Sequence, residues 1–434
     1  MHLPEDFVIR TKDFLGNEWE AFEKSLQEET PVSIRLNPEK PTNISYPEKV
    51  AWASGAYYLP ERPVFTLDPL FHAGAYYVQE ASSMYLEQII KDRFSEPAKA
   101  LDLCAAPGGK STHLSSLLPE NSLIVANEVI SSRSRILSEN LIKWGNPCVV
   151  VTNNDPKEIG KLTDFFDVIL ADVPCSGEGM FRKDPSAISE WSVANVKLCA
   201  ERQRRIIADS WQALNPGGIL IYSTCTYNRE ENENNISWIC TELGAEILDG
   251  PHRFFPHKTK GEGFFITALK KNVETKKQGN EKVCRCAETP VPANFSYAKQ
   301  WLKNPDEFNI FCDSAFLKAF LKNHSENYRK IKSRLKVISA GIVLGEIKGK
   351  DLIPHHGLAM STALSESAFS RWEVDKENAL RYLHKDSFQS IPGELPKGYI
   401  LLTYQNIPLG FIKNIGNRAN NLYPSDWRIR MNVS

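Results

Sequence analysis

Leu101-Asp-Leu-Cys-Ala-Ala-Pro-Gly-Gly-Lys-Ser111 decides the fold. It starts as the end of an apolar strand, passes through a glycine pair and opens a helix predicted over residues 110–118. Gly108 and Gly109 remove side chains where a backbone must approach a ligand closely. Outward from this loop, between residues 98 and 271, short apolar runs alternate with helical segments. The runs are Lys99-Ala-Leu-Asp-Leu, Ser122-Leu-Ile-Val-Ala, Val149-Val-Val, Phe166-Asp-Val-Ile-Leu-Ala and Ile219-Leu-Ile-Tyr, with Gly263-Phe-Phe-Ile-Thr-Ala-Leu as a late strand. Helices are predicted over residues 131–144 and 194–214, the second stopped by Asn215-Pro-Gly-Gly. Apolar strands interleaved with helices imply an α/β domain whose parallel sheet is covered on both faces.

Doubly wound sheets bind nucleotides at the C-terminal ends of their strands, where the 101–111 loop sits. Glu128 ends the second strand, about twenty residues past the glycines, the spacing at which an acidic side chain takes ribose hydroxyls. Asp155 ends the third and could reach an adenine amino group. Gly109-Lys-Ser-Thr resembles the end of a P-loop, but that motif needs Gly where Cys104 stands. A dinucleotide site would require the full Gly-x-Gly-x-x-Gly, which is absent. A purely structural turn would not explain two acids at consecutive strand ends.

The chain has 434 residues, enough for two to four domains at about 100–200 residues each. With 42% hydrophobic and 24% charged residues it reads as globular. No stretch approaches the ~20 apolar residues of a membrane helix, and the start lacks the pattern of a secretory signal. Nine scattered cysteines without a Cys-x-x-Cys pair point to a reducing compartment, so a cytoplasmic protein is expected. Cys284 and Cys286 form a lone Cys-x-Cys without further zinc ligands, and no metal is expected. Lys and Arg total 52 against 53 Asp and Glu, so only local patches could speak for nucleic acid.

Residues 1–95 read as a small α+β domain with a helix over 14–26, a strand at Val32-Ser-Ile-Arg-Leu and a helix over 82–94. The α/β domain spans 96–271, a polar linker 272–290, and a strand-rich C-terminal region 291–434. Lys336-Val-Ile-Ser-Ala-Gly-Ile-Val-Leu-Gly and Gly398-Tyr-Ile-Leu-Leu-Thr-Tyr are strands of that region.

Two cysteines follow strands of the same sheet edge. Asp172-Val-Pro-Cys-Ser-Gly follows the fourth, and Ser223-Thr-Cys-Thr-Tyr follows the fifth. Cys175 and Cys225 should therefore face one pocket, whereas Cys148, Cys199 and Cys240 read as small buried hydrophobes. Strand-end cysteines beside a cofactor can be activated as thiolates by positive charge. Such a thiolate suits one reaction in particular. Carbon 5 of cytosine is too electron-poor to attack a methyl donor unaided, but thiolate addition at carbon 6 makes it nucleophilic. Asp172 is placed to assist at ring nitrogen 3.

At these residues the sequence resembles the RNA (cytosine-5-)-methyltransferases of the Sun/Fmu type. Cys104-Ala-Ala-Pro-Gly-Gly-Lys-Ser, Asp172-Val-Pro-Cys-Ser-Gly and Ser223-Thr-Cys-Thr are similar to that family's cofactor, Pro-Cys and Thr-Cys motifs. Arg35-Leu-Asn and Gly74-Ala-Tyr-Tyr-Val-Gln-Glu-Ala-Ser-Ser extend the likeness into the N-terminal domain. Phe411-Ile-Lys-Asn-Ile-Gly-Asn-Arg and Tyr423-Pro-Ser-Asp-Trp-Arg are similar to the RsmF-type bacterial subgroup, which acts on small-subunit (16S) ribosomal RNA. The resemblance implies a Rossmann-like class I methyltransferase domain and a PUA-like RNA-binding module over about 340–434. It implies S-adenosylmethionine held by Cys104, Ala105, Ala106, Pro107, Gly108, Gly109, Lys110, Glu128, Asp155 and Asp172. It implies Cys225 as nucleophile, Cys175 as the helper in product release, and Lys183 near the target base. DNA cytosine methyltransferases use the Pro-Cys cysteine instead, which would be Cys175, but they have neither this cofactor loop nor a Thr-Cys cysteine. Many relatives carry Asn-Pro-Glu-Glu-Asn-Glu after the nucleophile, whereas this chain has Asn228-Arg-Glu-Glu-Asn-Glu.

Basic residues cluster from Lys322 to Lys336, including Lys332 and Arg334. Lys413, Arg418, Arg428 and Arg430 interleave with Phe411, Tyr423 and Trp427. Such sets can neutralise phosphate and stack on unpaired bases, although the aromatics also suit the core of a small β domain. The target cytosine must be flipped or already single-stranded. The expected partner is ribosomal RNA or the small subunit, with the chain a monomer. Transfer RNA as substrate, or an assembly factor that binds RNA without turnover, are the rivals; two retained thiols speak against the second.

Overall fold

The computed structural model describes residues 2–272, 289–389 and 391–431. Cys284, Cys286 and most of the polar stretch expected as a linker lie outside the described residues. A three-stranded antiparallel sheet in the N-terminal part comprises β1 (Val32–Leu36), β2 (Ala56–Leu59) and β3 (Tyr76–Val78), in the order β2-β1-β3. The single helix expected over 14–26 is two helices, Glu5–Leu15 and Trp19–Ser25, parted by a 3-10 turn at Gly16–Glu18. Their apolar faces pack Phe7 on Phe181 and Phe22 on Tyr227, with ring centroids 5.0 and 5.1 Å apart. Those partners belong to the segments that follow Cys175 and Cys225, so the N-terminal helices buttress both cysteine loops.

The central sheet contains β4 (Lys99–Asp102), β5 (Leu123–Asn127), β6 (Val149–Thr152), β7 (Phe166–Asp172), β8 (Leu214–Thr224), β9 (Ala245–Phe254) and β10 (Phe264–Lys271). β4 to β8 are mutually parallel, while β10 runs antiparallel to both β8 and β9. Every residue of β5 and β6 is buried, which is why these strands read as unbroken apolar runs rather than alternations. Leu101, Val125 and Ile169 join one core, and Ala100, Ile124 and Leu170 the other, on opposite faces of the pleat. Each such aliphatic side chain stabilises the fold by about 1.5–3 kcal/mol when fully buried.

β11 (Phe308–Asp313), β12 (Phe316–Leu321), β14 (Ile342–Lys348) and β15 (Asp351–Pro354) form a four-stranded antiparallel sheet. Between them in sequence, β13 (Val337–Ala340) leaves that sheet and pairs antiparallel with β6, completing the central order β13-β6-β5-β4-β7-β8-β10-β9. The run expected as one strand thus breaks at Gly341 and serves two sheets. Asn154 secures the graft: its side chain accepts from Lys336 N (2.9 Å) and donates to Lys336 O (3.1 Å). β16 (Ser370–Glu373), β17 (Gly398–Tyr404), β18 (Ile407–Asn414) and β19 (Ala419–Asn421) make the last sheet.

The N-terminal part docks on the C-terminal end of the helix Ser131–Trp144. Asn37 Nδ2 donates to Gly74 O and Trp144 O, both at 2.9 Å, and Lys40 Nζ donates to Lys143 O at 2.6 Å. The bonds to Trp144 O and Lys143 O satisfy carbonyls that a helix end leaves orphaned. Gly74 makes the approach possible: its φ is +67°, and a Cβ there would lie 2.0 Å from Lys143 O. Gly74→Ala should cost about 2–4 kcal/mol, read as a lower denaturation midpoint; an unchanged midpoint would show that this docking is dispensable.

Candidate active site

β4 delivers its last residue, Asp102, fully buried at the base of the glycine loop. Asp102 Oδ2 accepts from Ser111 Oγ at 2.6 Å, while Oδ1 has no partner among the described residues. Burial pushes this carboxyl up to about 7. Gly108, at φ +115°, turns the chain into the helix Gly109–Leu117, and Tyr77 packs against Gly109 from the N-terminal sheet. Arg133 and Asn140, on the next helix, donate to Ala106 O and Pro107 O, both at 2.8 Å.

The loop's lysine turns toward β7. Lys110 Nζ lies 2.8 Å from Asp172 Oδ2, and Ser223 Oγ donates to Asp172 Oδ1 at 2.8 Å. Burial opposes the charge on Lys110, but Asp172 outweighs it and holds the ammonium above its ordinary value, with Cys225 adding in the same direction. Glu128, buried at the end of β5, accepts from Ile130 N at 2.9 Å and lies 3.4 Å from Arg133. Directly after it, Val129 and Ile130 are 57% and 48% exposed, an apolar ledge beside an acid. Asp155 is exposed and caps the helix Pro156–Ile159 through Lys157 N. A glycine turn, a buried acid with an apolar ledge and an unpartnered carboxylate oxygen form a donor set that fits a nucleoside with an amino-acid tail.

The two cysteine loops meet. Cys175 Sγ and Cys225 Sγ are 3.1 Å apart and not bonded, and either can donate to the other. Sharing a hydrogen with Cys225, together with burial and the charge of Glu231, raises the Cys175 thiol well above its ordinary value. Burial also raises the thiols of Cys104, Cys148, Cys199 and Cys240. Lys183 is exposed in the turn after Glu178–Met180, while its neighbour Arg182 is buried against Glu262 at 3.1 Å and anchors that turn.

The basic residues lie elsewhere. Lys332 sits over the Tyr328 ring at 5.9 Å, Arg334 donates to Lys161 O at 2.6 Å, and Lys413 lies 5.2 Å from the Tyr399 ring centroid. Arg418 and Arg428 are exposed. Phe411 and Tyr423 are buried core residues, so of the three aromatics only Trp427 keeps an accessible part.

Sequence reasoning missed the polar floor of the site. Ser223, Glu178, Gln203 and Glu231 bond directly to Asp172 or to the cysteine loops. The segment Asn228-Arg-Glu-Glu-Asn-Glu, notable in the sequence only for its missing proline, carries three of the floor's residues: Asn228, Glu231 and Asn232.

A family model described as 16S rRNA methyltransferase RsmB/F matches residues 93–270. Models of the N-terminal domain of 16S rRNA methyltransferase RsmF and of the methyltransferase RsmF PUA domain match residues 3–81 and 369–429. The ribosomal RNA small subunit methyltransferase F of Cronobacter sakazakii is 31% identical over 82% of this chain and 78% of its own length. That of Pectobacterium atrosepticum is 30% identical over 98% of this chain and 95% of its own. Among solved structures, a methyltransferase homologue from Pyrococcus horikoshii is 28% identical with a TM-score of 0.55, covering 62% of this chain and 95% of that one. With three matched regions in order and near full-length agreement with the Pectobacterium relative, the chain belongs to the RsmF family of 16S rRNA methyltransferases and is an enzyme of that family.

Proposed function

We propose that this enzyme methylates carbon 5 of cytosine in small-subunit (16S) ribosomal RNA, with S-adenosylmethionine as donor and Cys225 as nucleophile. The observation that carries the reading is the asymmetry around two sulfurs 3.1 Å apart. The Lys110 ammonium interacts with Cys225, and the Glu231 carboxylate with Cys175. A cation favours attack by a sulfur and an anion holds the proton on one, so Cys225 is the sulfur placed to attack while Cys175 keeps its proton.

The Cys225 sulfur forms a bond to carbon 6, and the electron pair of the 5,6 double bond becomes available at carbon 5. Asp172, held by Lys110 and Ser223, contacts ring nitrogen 3. Bound S-adenosylmethionine supplies the methyl group. Loss of the carbon 5 proton to a base lets the Cys225 sulfur leave with the electrons of its bond to carbon 6, and Cys175 assists that release. The loop from Cys104 through Ala105, Ala106, Pro107, Gly108 and Gly109 to Lys110 holds the donor together with Glu128 at the ribose, Asp155 at the adenine and Asp172. The unpartnered Asp102 oxygen and the apolar ledge at Val129 and Ile130 support this fit.

Lys183 lies near the target base, and Lys332, Arg334, Lys413, Arg418 and Arg428 contact RNA phosphates. The domains run 1–95, 96–271 and 291–434, the last containing the PUA-like module. No described helix is long and apolar enough to cross a membrane, and the enzyme works as a cytoplasmic monomer. Tritium-methyl S-adenosylmethionine, offered with ribosomal RNA, small subunits and transfer RNA separately, tests the substrate. Label should appear as 5-methylcytosine in small-subunit RNA. Label in transfer RNA alone would replace the substrate, and none in any RNA would favour the assembly-factor reading.

A further inference from the structure

Two carboxylates lie under the cysteine pair without touching the reacting atoms of the chemistry above. Glu178 follows Cys175 on one loop and is 2% exposed; Glu231 follows Cys225 on the other and is 0% exposed. Each reaches across to the opposite loop. Glu178 Oε2 accepts from Thr226 Oγ1 (2.7 Å), Tyr227 N (2.8 Å) and Asn228 N (2.9 Å), and its Oε1 accepts from Trp191 Nε1 (3.0 Å). Glu231 Oε2 accepts from Ser176 N (3.0 Å) and Gln203 Nε2 (2.7 Å), and its Oε1 accepts from Ser176 Oγ. Asn228 Nδ2 bridges the two acids, donating at 3.1 Å to Glu178 and 2.7 Å to Glu231. No Lys or Arg ion pair neutralises either among the described residues.

We propose that Glu178 and Glu231 are positioning residues for the methylation reaction, a reciprocal clamp that fixes the Cys225 sulfur against the Cys175 sulfur. The inference rests on the reading of the two thiols under the proposed function. A buried carboxylate without a cation is costly, and only a dense set of donors makes it tolerable. Here the donors include backbone N–H groups and hydroxyls of both cysteine loops, Ser176 on one and Thr226, Tyr227 and Asn228 on the other, so the cost secures the geometry of the thiols. Glutamate suits this place because it is an acceptor at both oxygens; an amide turns one oxygen into a donor facing donors. Glu231 has a second effect. Burial raises its own carboxyl, yet its charge still bears on Cys175.

The test compares the full-length wild type with Glu178→Gln, Glu231→Gln and Ser176→Ala. Three quantities are read: single-turnover methyl transfer to small subunits, S-adenosylhomocysteine binding by calorimetry, and the pH dependence of Cys175 carboxymethylation in a Cys225→Ser background. Glu178→Gln and Glu231→Gln should lower turnover about 10- to 100-fold, with cofactor-product affinity within about threefold. Glu231→Gln should also move the carboxymethylation midpoint of Cys175 to lower pH. Ser176→Ala removes one donor and no charge, so it should lower turnover and leave that midpoint in place.

Wild-type turnover in Glu231→Gln, or lost turnover with the Cys175 midpoint unmoved, overturns the clamp. Should Glu231→Gln fail to bind S-adenosylhomocysteine, Ser176→Ala decides, and wild-type turnover there overturns it. Failure of the underlying thiol reading is separately visible, as the absence of a covalent RNA adduct on Cys225 in Cys175→Ala.

Discussion

Cys225→Ala is expected to lower methyl transfer by about 10⁴-fold or more, because loss of a nucleophile removes the covalent route rather than weakening it. Cofactor binding should survive, since the Cys104-to-Lys110 loop, Glu128 and Asp172 are anchored independently of that sulfur. Cys175→Ala should fail differently. The first methyl group is still transferred, but turnover stalls with RNA attached, because the thiol proposed to assist release is gone. Rapid-quench kinetics separates the two. Cys225→Ala should show neither burst nor turnover, and Cys175→Ala a burst without turnover. A burst in Cys225→Ala would reverse the proposed roles.

Asp172→Asn is the second large effect, with an expected drop of about 10²–10³-fold in single-turnover rate. Asp172 joins the cofactor loop to the β7–β8 edge through Lys110 on one oxygen and Ser223 on the other. An asparagine must turn its amide nitrogen toward one of these donors, and the half-buried Lys110 loses its counter-charge. S-adenosylhomocysteine affinity should fall as well, so KM for the cofactor rises as kcat drops. Ser223→Ala, which breaks one hydrogen bond and leaves the ion pair, should cost about tenfold or less. Asp172→Asn within about threefold of wild type would remove Asp172 from both roles.

The central sheet was legible because β4 to β8 are buried on both faces, and burial on both faces leaves runs such as Val149-Val-Val. β9 was not. Ala-Glu-Ile-Leu-Asp-Gly-Pro-His-Arg-Phe is an edge strand with only its ends buried, and it has no apolar run to detect. In the sequence β13 runs on into β14 as one strand, because apolar periodicity reports strand character and not which sheet completes the pairing. The meeting of Cys175 and Cys225 was legible from two strand ends on one sheet edge. Glu178 and Glu231 were not, since an acid reads as surface until its donors, scattered from Ser176 to Asn228, are assembled by the fold. Phe411 and Tyr423 show the converse. Their basic neighbours suggested stacking on RNA, but packing against Phe369 and Tyr382 puts both rings in the core.

Mapping the covalent adduct is the most direct test of the central claim. Cys175→Ala would be incubated with small subunits and S-adenosylmethionine, digested with nuclease and protease, and analysed by mass spectrometry. A cytosine nucleotide on the peptide that carries Cys225 is the predicted result. A nucleotide on Cys175 in Cys225→Ala, or no nucleotide on either cysteine while methyl transfer proceeds, would contradict it.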